Sequence, residues 1–319
     1  MKAVVRSKYG PPTVLSIKEV ETPVQKDDEV LIKIHATTVN RTDCGILWGK
    51  PGILRLFTGL FRPKLGTTGT DFAGEIVAAG KNVQSFKVGD KVMGFNGMVG
   101  CGSHAQYITM RETDGIVTMP ANLSYKQAVA CLEGAFYAAS GIKKLQPRPG
   151  QKALVNGATG AIGSSAVQIL KFYNVSITAV CKAENDMLVK LLGAEKTIDY
   201  TTHDFTSDTD KYDFIFDSAG KSTFAKCKPL LKEKGVYAPA DGLINFWFAF
   251  TTSFSKGKKV MFGAPANVKD GLLFIKTLVE QGHFKPLIDR TYSFDKIPEA
   301  YKYVATGQKI GNVVITMDT

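Results

Sequence analysis

The sequence predicts an α/β protein of two domains: an antiparallel, barrel-like N-terminal half and a doubly wound parallel sheet, with a C-terminal tail that returns to the first half. Three observations carry this prediction. The chain has 319 residues, more than one hydrophobic core usually serves. From residue 1 to about 120, short strands are separated by Gly, Pro and Asp turns with no helix between them, the pattern of a barrel or sandwich. After Pro147-Arg148-Pro149-Gly150, apolar strands alternate with helical stretches, which reads as a parallel sheet covered on both faces.

In chain order, strands are expected at 15–20, 29–39, 73–79, 91–95 and 104–110. Ser124-Tyr125-Lys126-Gln127 has the form of a capping box and opens a helix running towards Leu145, because Ser and Gln at this spacing satisfy two orphan N–H donors reciprocally. Beyond the Pro-Gly break, strands at 153–156, 175–181, 197–199, 212–217, 235–239 and 260–263 interleave with helices at 161–173, 185–192 and 223–231. The first of these helices carries Ile162, Ala166, Ile169, Leu170 and Tyr173 on one face, an amphipathic stripe at helical period. A tail with a helix near 269–281 and strands at 291–294 and 312–317 is too short to stand alone. The expected domains are therefore 1–122 with 265–319, and 123–264.

Composition narrows the function. At 44% apolar and 22% charged, with 31 Gly and 13 Pro, the chain is ordinary for a globular protein, and disordered, collagenous and coiled-coil classes are excluded. Its apolar runs are shorter than the roughly 20 residues of a membrane-spanning helix, and the opening Lys2-Ala3-Val4-Val5-Arg6 is strand-like rather than a secretory or organellar leader, so a cytoplasmic protein is expected. Forty Lys and Arg against 29 Asp and Glu leave a charge of +11. The positives are scattered, which fits a solvated surface that also attracts phosphorylated cofactors rather than a nucleic-acid site. Cys44, Cys101, Cys131, Cys181 and Cys227 form no C-x-x-C pair and no Cys/His cluster, so neither a zinc knuckle nor a disulfide framework is expected.

The chemistry-bearing motif follows the strand Lys152-Ala153-Leu154-Val155: Asn156-Gly157-Ala158-Thr159-Gly160-Ala161-Ile162-Gly163, leading into the amphipathic helix. Strand, tight Gly-rich turn and helix in this order are the context that a dinucleotide fingerprint requires. Small residues let backbone approach a pyrophosphate, and the helix N-terminus offers unpaired N–H donors and a positive dipole end. The next strand ends in Ala179-Val180-Cys181-Lys182. An acid that would hold the ribose hydroxyls of NAD is missing there and a cation follows, which suits the 2′-phosphate of NADPH. Lys182 also reads as a solvated lysine, and Glu184 as a competing ribose ligand.

The fingerprint, the barrel-like first half and the returning tail together resemble the medium-chain dehydrogenase/reductase superfamily over essentially the whole chain. The resemblance also rests on Val39-Asn40-Arg41-Thr42-Asp43, Gly69-Thr70-Asp71-Phe72-Ala73-Gly74-Glu75-Ile76-Val77, Val88-Gly89-Asp90-Lys91-Val92, and Lys285-Pro286-Leu287-Ile288-Asp289 followed by Ile297-Pro298-Glu299-Ala300. It implies a GroES-like antiparallel barrel and a Rossmann domain. Zinc alcohol dehydrogenases of the superfamily place a Cys where this chain has Asn40, a His-Glu pair at Thr70-Asp71, and a third ligand at Leu132 beside Cys131; their four-Cys lobe would have only Cys101. Asn, Thr and Leu do not supply a catalytic zinc site, so the chain resembles the zinc-independent quinone oxidoreductase branch, and within it the NADPH-dependent group.

Carried over position by position, the resemblance implies that Asn40 lies beside the nicotinamide and the reacting carbonyl. It implies that Thr159, Gly160, Ala161 and Ile162 hold the pyrophosphate, that Lys182 and Tyr200 face the 2′-phosphate, and that Gly311, Asn312 and Val313 close over the nicotinamide end. Asn40 also reads as a strand end, and Tyr200 as a half-buried core aromatic. Phe246 and Trp247, in an aromatic run after the fifth sheet strand, read equally as an acceptor pocket wall and as a packed helix or dimer face. The expected activity is hydride transfer from NADPH to a quinone or related conjugated carbonyl. Its rivals are an alkenal/enone double-bond reductase and an NADPH-binding protein without turnover. A homodimer through the edge strand is expected, and no residue stands out as the acid.

Overall fold

The computed structural model describes the chain except residues 53, 65, 98–101, 241–242, 255, 264–266 and 318–319. Cys101 therefore lies outside the described residues. Two compact units are present: Met1–Glu133 with Asn267–Glu280 and Pro286–Thr319, and Gly134–Ala266 with Gln281–Lys285.

The first unit begins with β1 (Lys2–Val5) paired antiparallel to β2 (Ser16–Glu19). The long β3 (Glu29–Val39) leads into α1 (Arg41–Trp48) and the short α2 (Leu54–Thr58), followed by β4 (Asp71–Ala79), β5 (Lys91–Phe95), β6 (Tyr107–Arg111), β7 (Ile116–Thr118) and α3 (Tyr125–Val129). The strand β3 organises the sheet: it pairs with β4 along its length, with β6 through Glu29–Lys33, and near its C-terminal end with the last strand of the chain. Its inward residues Val30, Ile32 and Ile34 meet Phe72, Ile76, Val92, Ile108 and Ile116 in one apolar cluster. Alternation along the strand thus builds the barrel interior, since side chains at a period of two share a face.

The expected single helix from Ser124 is two. Ser124 does cap α3 through Gln127, but the chain turns at Ala130–Leu132, with Cys131 and Leu132 N–H bonded three residues back. A new helix α4 (Glu133–Leu145) then begins where the second unit begins. One amphipathic stripe cannot serve two cores, so the helix breaks at the boundary. The same unit change is invisible in helix propensity, which is high on both sides.

The second unit alternates β8 (Lys152–Asn156), α5 (Ala161–Phe172), β9 (Ser176–Cys181), α6 (Asp186–Leu192), β10 (Lys196–Asp199), β11 (Tyr212–Asp217), α7 (Phe224–Cys227), β12 (Leu231–Pro239), α8 (Leu243–Thr252) and β13 (Lys259–Val260). Among the described residues the strands are all parallel, in the order β10-β9-β8-β11-β12-β13. The order reverses between β8 and β11, the switch point where α/β sheets open a crevice. The expected strand at 260–263 is only Lys259–Val260, and the expected helix at 223–231 gives way to β12 at Leu231.

The tail rejoins the first unit. The helix α9 (Val268–Glu280) precedes β14 (Ile288–Ser293), α10 (Ile297–Ala305) and β15 (Asn312–Thr316). The pairing Val313↔Val39 through Thr316↔Ala36 sets β15 antiparallel against β3, and β14 runs parallel to β15. Ile297, Tyr301 and Val304 of α10 pack with Val39, Leu47, Val313 and Ile315. The register brings residues 309–313 next to Asn40.

Candidate functional site

In the second unit, Asn156 ends β8 and the chain turns through Gly157 at φ 79° into Gly160, the N-cap of α5. A Cβ on Gly163 would lie 2.1 Å from the carbonyl oxygen of Gly157, and one on Gly157 would meet Ser218 and Ala219 from the end of β11 at 3.0–3.1 Å. Two turns at the switch point therefore lie backbone against backbone. Asp217 fastens them: its Oδ1 accepts from Asn156 Nδ2 (2.9 Å) and from the N–H groups of Ala219 and Gly220, and its Oδ2 from Tyr237 and Ser222. The first-turn N–H groups of Ala161 and Ile162 have no partner within the helix by geometry, and the dipole adds positive potential there. Thr159, Gly160, Ala161 and Ile162 are thus gathered around one helix N-terminus, a cradle that a phosphate fits.

Lys182 and Tyr200 follow the ends of the paired strands β9 and β10, where Asp199 is in register with Cys181 and the Tyr200 N–H donates to the Cys181 carbonyl. Lys182 Nζ lies 3.8 Å from a carboxylate oxygen of Glu184. Tyr200 is 53% exposed, which sets aside its reading as a core aromatic. Phe246 and Trp247 lie on α8, 57% and 62% exposed, with Phe246 stacked on Phe262 at 4.1 Å.

The first unit holds a different kind of arrangement around Asn40. This residue ends β3 in extended conformation and caps α1; its N–H donates to Asp43 Oδ2 at 2.8 Å. Its Nδ2 donates to Thr38 Oγ1 (2.8 Å), and the Thr38 hydroxyl donates onward to Asp71 Oδ2 (2.7 Å). Asp71 also accepts from the Thr38 N–H at 2.9 Å. His104 accepts from the Thr68 hydroxyl and donates from Nε2 to the Thr38 carbonyl, each at 2.8 Å. From the tail, Lys309 Nζ donates to Asn40 Oδ1 (3.0 Å) and to the Gly311 carbonyl (2.5 Å). Gly311, at φ 75°, lies so close to Leu287 that a Cβ would be 2.3 Å from its carbonyl oxygen. Asn312 is buried and bonds Ala130 and Leu287 carbonyls, and Val313 is locked opposite Val39.

Burial dominates the ionisation of this network. It raises the Asp43 carboxyl well above its usual range, reinforced by Glu133 and Asp71, and raises Glu133, against which Thr42 and Asn40 hydrogen bonds and Lys309 act. Asp71 is pushed up to about 7 by burial and Glu133, despite its bonds to Thr38 and Thr37. Desolvation lowers His104 to about 4, so it is neutral, and lowers Lys309 to about 8, with Glu133 and Asp289 pulling the other way. One oxygen each of Asp43 and Glu133 is buried without a hydrogen-bond partner. Sequence reasoning missed Lys309, Glu133 and Thr38. The Asn40-to-Asp43 spacing of a cap was readable locally, whereas Lys309 meets Asn40 across 269 residues in a segment with the composition of a surface turn.

A strand-turn-helix motif at the switch point of a doubly wound sheet in one unit, and a GroES-like barrel in the other, define a pyridine-nucleotide-dependent oxidoreductase. Residues 26–121 match the alcohol dehydrogenase GroES-like domain and residues 192–315 the zinc-binding dehydrogenase domain. The chain is 32% identical to 2-methylene-furan-3-one reductase of Solanum lycopersicum over 99% of its length and 79% of that protein. It is 31% identical to the chloroplastic quinone-oxidoreductase homolog of Spinacia oleracea, over 99% of this chain and 98% of the other. A solved structure, the quinone oxidoreductase from Coxiella burnetii, superposes with a TM-score of 0.90 at 24% identity, covering 100% of this chain and 99% of that one. The chain belongs to the medium-chain dehydrogenase/reductase superfamily, in its quinone oxidoreductase branch.

Proposed function

We propose that this protein transfers hydride from NADPH to a quinone or a related α,β-unsaturated carbonyl. The carrying observation is the cradle of Thr159, Gly160, Ala161 and Ile162 at the switch point, with Lys182 and Tyr200 on the ends of the two next strands. When bound, the dinucleotide supplies the hydride. The α5 N-terminus would hold its pyrophosphate, and Lys182 and Tyr200 the 2′-phosphate region. Asn40, Gly311, Asn312 and Val313 would border the nicotinamide end. The names of the relatives, a furanone reductase and quinone oxidoreductases, support a conjugated acceptor.

The residues at the zinc-ligand positions of the alcohol dehydrogenases do not fit a metal. Leu132 has no donor, and Asn40 directs its carboxamide oxygen at the ammonium of Lys309, so a cation already occupies the direction a divalent ion would need. A conjugated acceptor suits such a site, because it delocalises the charge that zinc would otherwise neutralise. Phe246 and Trp247 would offer a flat apolar acceptor a matching wall. We read the assembly as a homodimer through the edge of β13 and the protein as cytoplasmic; among the described residues, no helix is long and apolar enough to cross a membrane.

Titration calorimetry with NADPH and NADH, followed by NADPH oxidation against a panel of quinones, conjugated aldehydes and enones, tests this reading. The expected result is tighter binding of NADPH and turnover with at least one conjugated acceptor. Tight binding with no acceptor consumed would instead identify a non-enzymatic NADPH-binding protein.

A further inference from the structure

Reduction of a conjugated carbonyl needs a proton as well as a hydride, and the residue placed nearest the reacting carbonyl cannot supply it. Every polar atom of Asn40 is already engaged. Its carboxamide oxygen accepts from Lys309, its Nδ2 donates to Thr38, and its backbone N–H donates to Asp43. A carboxamide is in any case a poor acid. The Lys309 ammonium differs. It has three N–H bonds, and among the described residues its hydrogen-bond acceptors are the Asn40 oxygen and the Gly311 carbonyl. Those are two of the residues assigned above to the nicotinamide end.

We propose that Lys309 is the catalytic acid of the reaction, held by Asn40 and Gly311 so that its remaining N–H serves the reduced acceptor. The inference rests on the hydride-transfer reading above. With a dinucleotide bound, the hydride it supplies would form a C–H bond at the β-carbon of the acceptor with its own electron pair, and the displaced C=C π pair would move onto the carbonyl as an enolate. One N–H bond of Lys309 then breaks, its electrons stay on nitrogen, and the proton forms the new C–H or O–H bond. The neutral amine recovers a proton from water, to which the half-buried Lys309 has access.

The surrounding charges support the role. Desolvation is the largest influence on the amine and brings it to about 8, so the proton is readily given near neutrality. Glu133 at the start of α4, Asp289 of β14 and Cys44 of α1 favour the charged form, Arg41 of α1 opposes it, and Asp43 and Asp71 act on Glu133 within the same network. A lysine that merely tied the tail to α1 would need only its charge and its reach.

The test uses the full-length protein and Lys309→Met, Lys309→Arg and Glu133→Gln. With the best enone, wild-type kcat is expected to fall as pH rises through about 8, because the acid form is lost. Lys309→Met should lower kcat about 100-fold or more with KM for NADPH little changed, and should lose the alkaline limb. Lys309→Arg keeps the charge and the tether but cannot release a proton, so its kcat should also drop. A readout independent of turnover is NMR of reductively 13C-methylated lysines without cofactor: one resonance, absent in Lys309→Arg, should titrate well below the others. Glu133→Gln should move that titration and the kinetic limb to lower pH together, even if Lys309→Met fails to fold. Wild-type turnover with an unchanged limb in Lys309→Arg, or Lys309 titrating with the surface lysines, overturns the assignment of Lys309 alone. Absence of turnover with every acceptor overturns the hydride reading and this proposal with it.

Discussion

The two regions that the proposed chemistry requires are built on opposite principles. The cradle at the α5 N-terminus is made of backbone: glycines that permit close approach, unpaired N–H groups, and one carboxylate, Asp217, tying two turns together. The network at Asn40 is made of side chains, with Asp43, Asp71 and Glu133 removed from water and the half-buried Lys309 reaching onto a single carboxamide. A backbone site is fixed once its strand and helix form. A side-chain network of this kind depends on several elements arriving together, and its energy varies with pH because each member can change charge.

The largest effect expected from this contrast is a pH-dependent stability confined to the barrel unit. In the folded protein Asp71 keeps its proton up to about 7, whereas the unfolded chain releases it near 3.8. Between those values the folded state binds more protons, so stability falls as pH rises from about 4 to 7. Three pH units correspond to roughly 4 kcal/mol for this group, and Asp43 and Glu133, also raised, act in the same direction. Urea denaturation at pH 4, 5.5 and 7 should show this slope in the wild type and a smaller one in Asp71→Asn. Equal slopes would mean that ionised Asp71 is accommodated without cost and that the network is not the pH-sensitive half of the molecule.

The cradle should respond to shape instead. Gly163→Ala places a Cβ 2.1 Å from the Gly157 carbonyl oxygen, and neither partner is a flexible side-chain end, so the turn must shift. Overpacking of this kind costs about 1–3 kcal/mol, and NADPH binding should weaken by more than tenfold because the displaced N–H groups no longer converge. Thermal melting and calorimetry read the two effects separately, and neither should vary with pH between 5 and 8. A variant that binds NADPH as tightly as the wild type would remove the cradle from the proposed site.

The same contrast explains what could be read from the sequence. Gly157, Gly160 and Gly163 were legible because a strand, a turn and a helix N-terminus are contiguous, and the chemistry of backbone N–H groups needs no distant partner. The strand β3 was legible to the residue, since alternation over Glu29–Val39 is a local signal. Lys309 was not legible: nothing in Gln308-Lys309-Ile310-Gly311 distinguishes a solvated lysine from one whose ammonium is drawn onto Asn40 by the β15–β3 register. Glu133 was hidden for a related reason. It looks like a favourable first-turn residue of a helix, and only the break at Ala130–Leu132 points it into the network. The length of β13 was also out of reach, because Lys259–Val260 pairs with β12 while Met261 and Phe262 continue beyond the strand without extending it.

The smallest effect lies where the two principles meet, at the end of β9. Recognition of a 2′-phosphate would be a side-chain function placed on a backbone-built site, carried by Lys182, whose side chain is 38% exposed and 3.8 Å from Glu184. An exposed charge contact is worth about 1 kcal/mol. Lys182→Ala should therefore weaken NADPH binding by roughly five- to tenfold and leave NADH binding within a factor of two. Removing the rival charge acts in the opposite sense: Glu184→Gln removes the Glu184 ion pair of the lysine and withdraws a negative group from the phosphate, so NADPH binding should strengthen by a few-fold. Calorimetry of both dinucleotides against both variants separates the roles. If Lys182→Ala weakened the two cofactors equally, the lysine would be acting on the shared pyrophosphate. If Glu184→Gln weakened NADH alone, the acid would be the ribose ligand and the choice between cofactors would rest on this one pair.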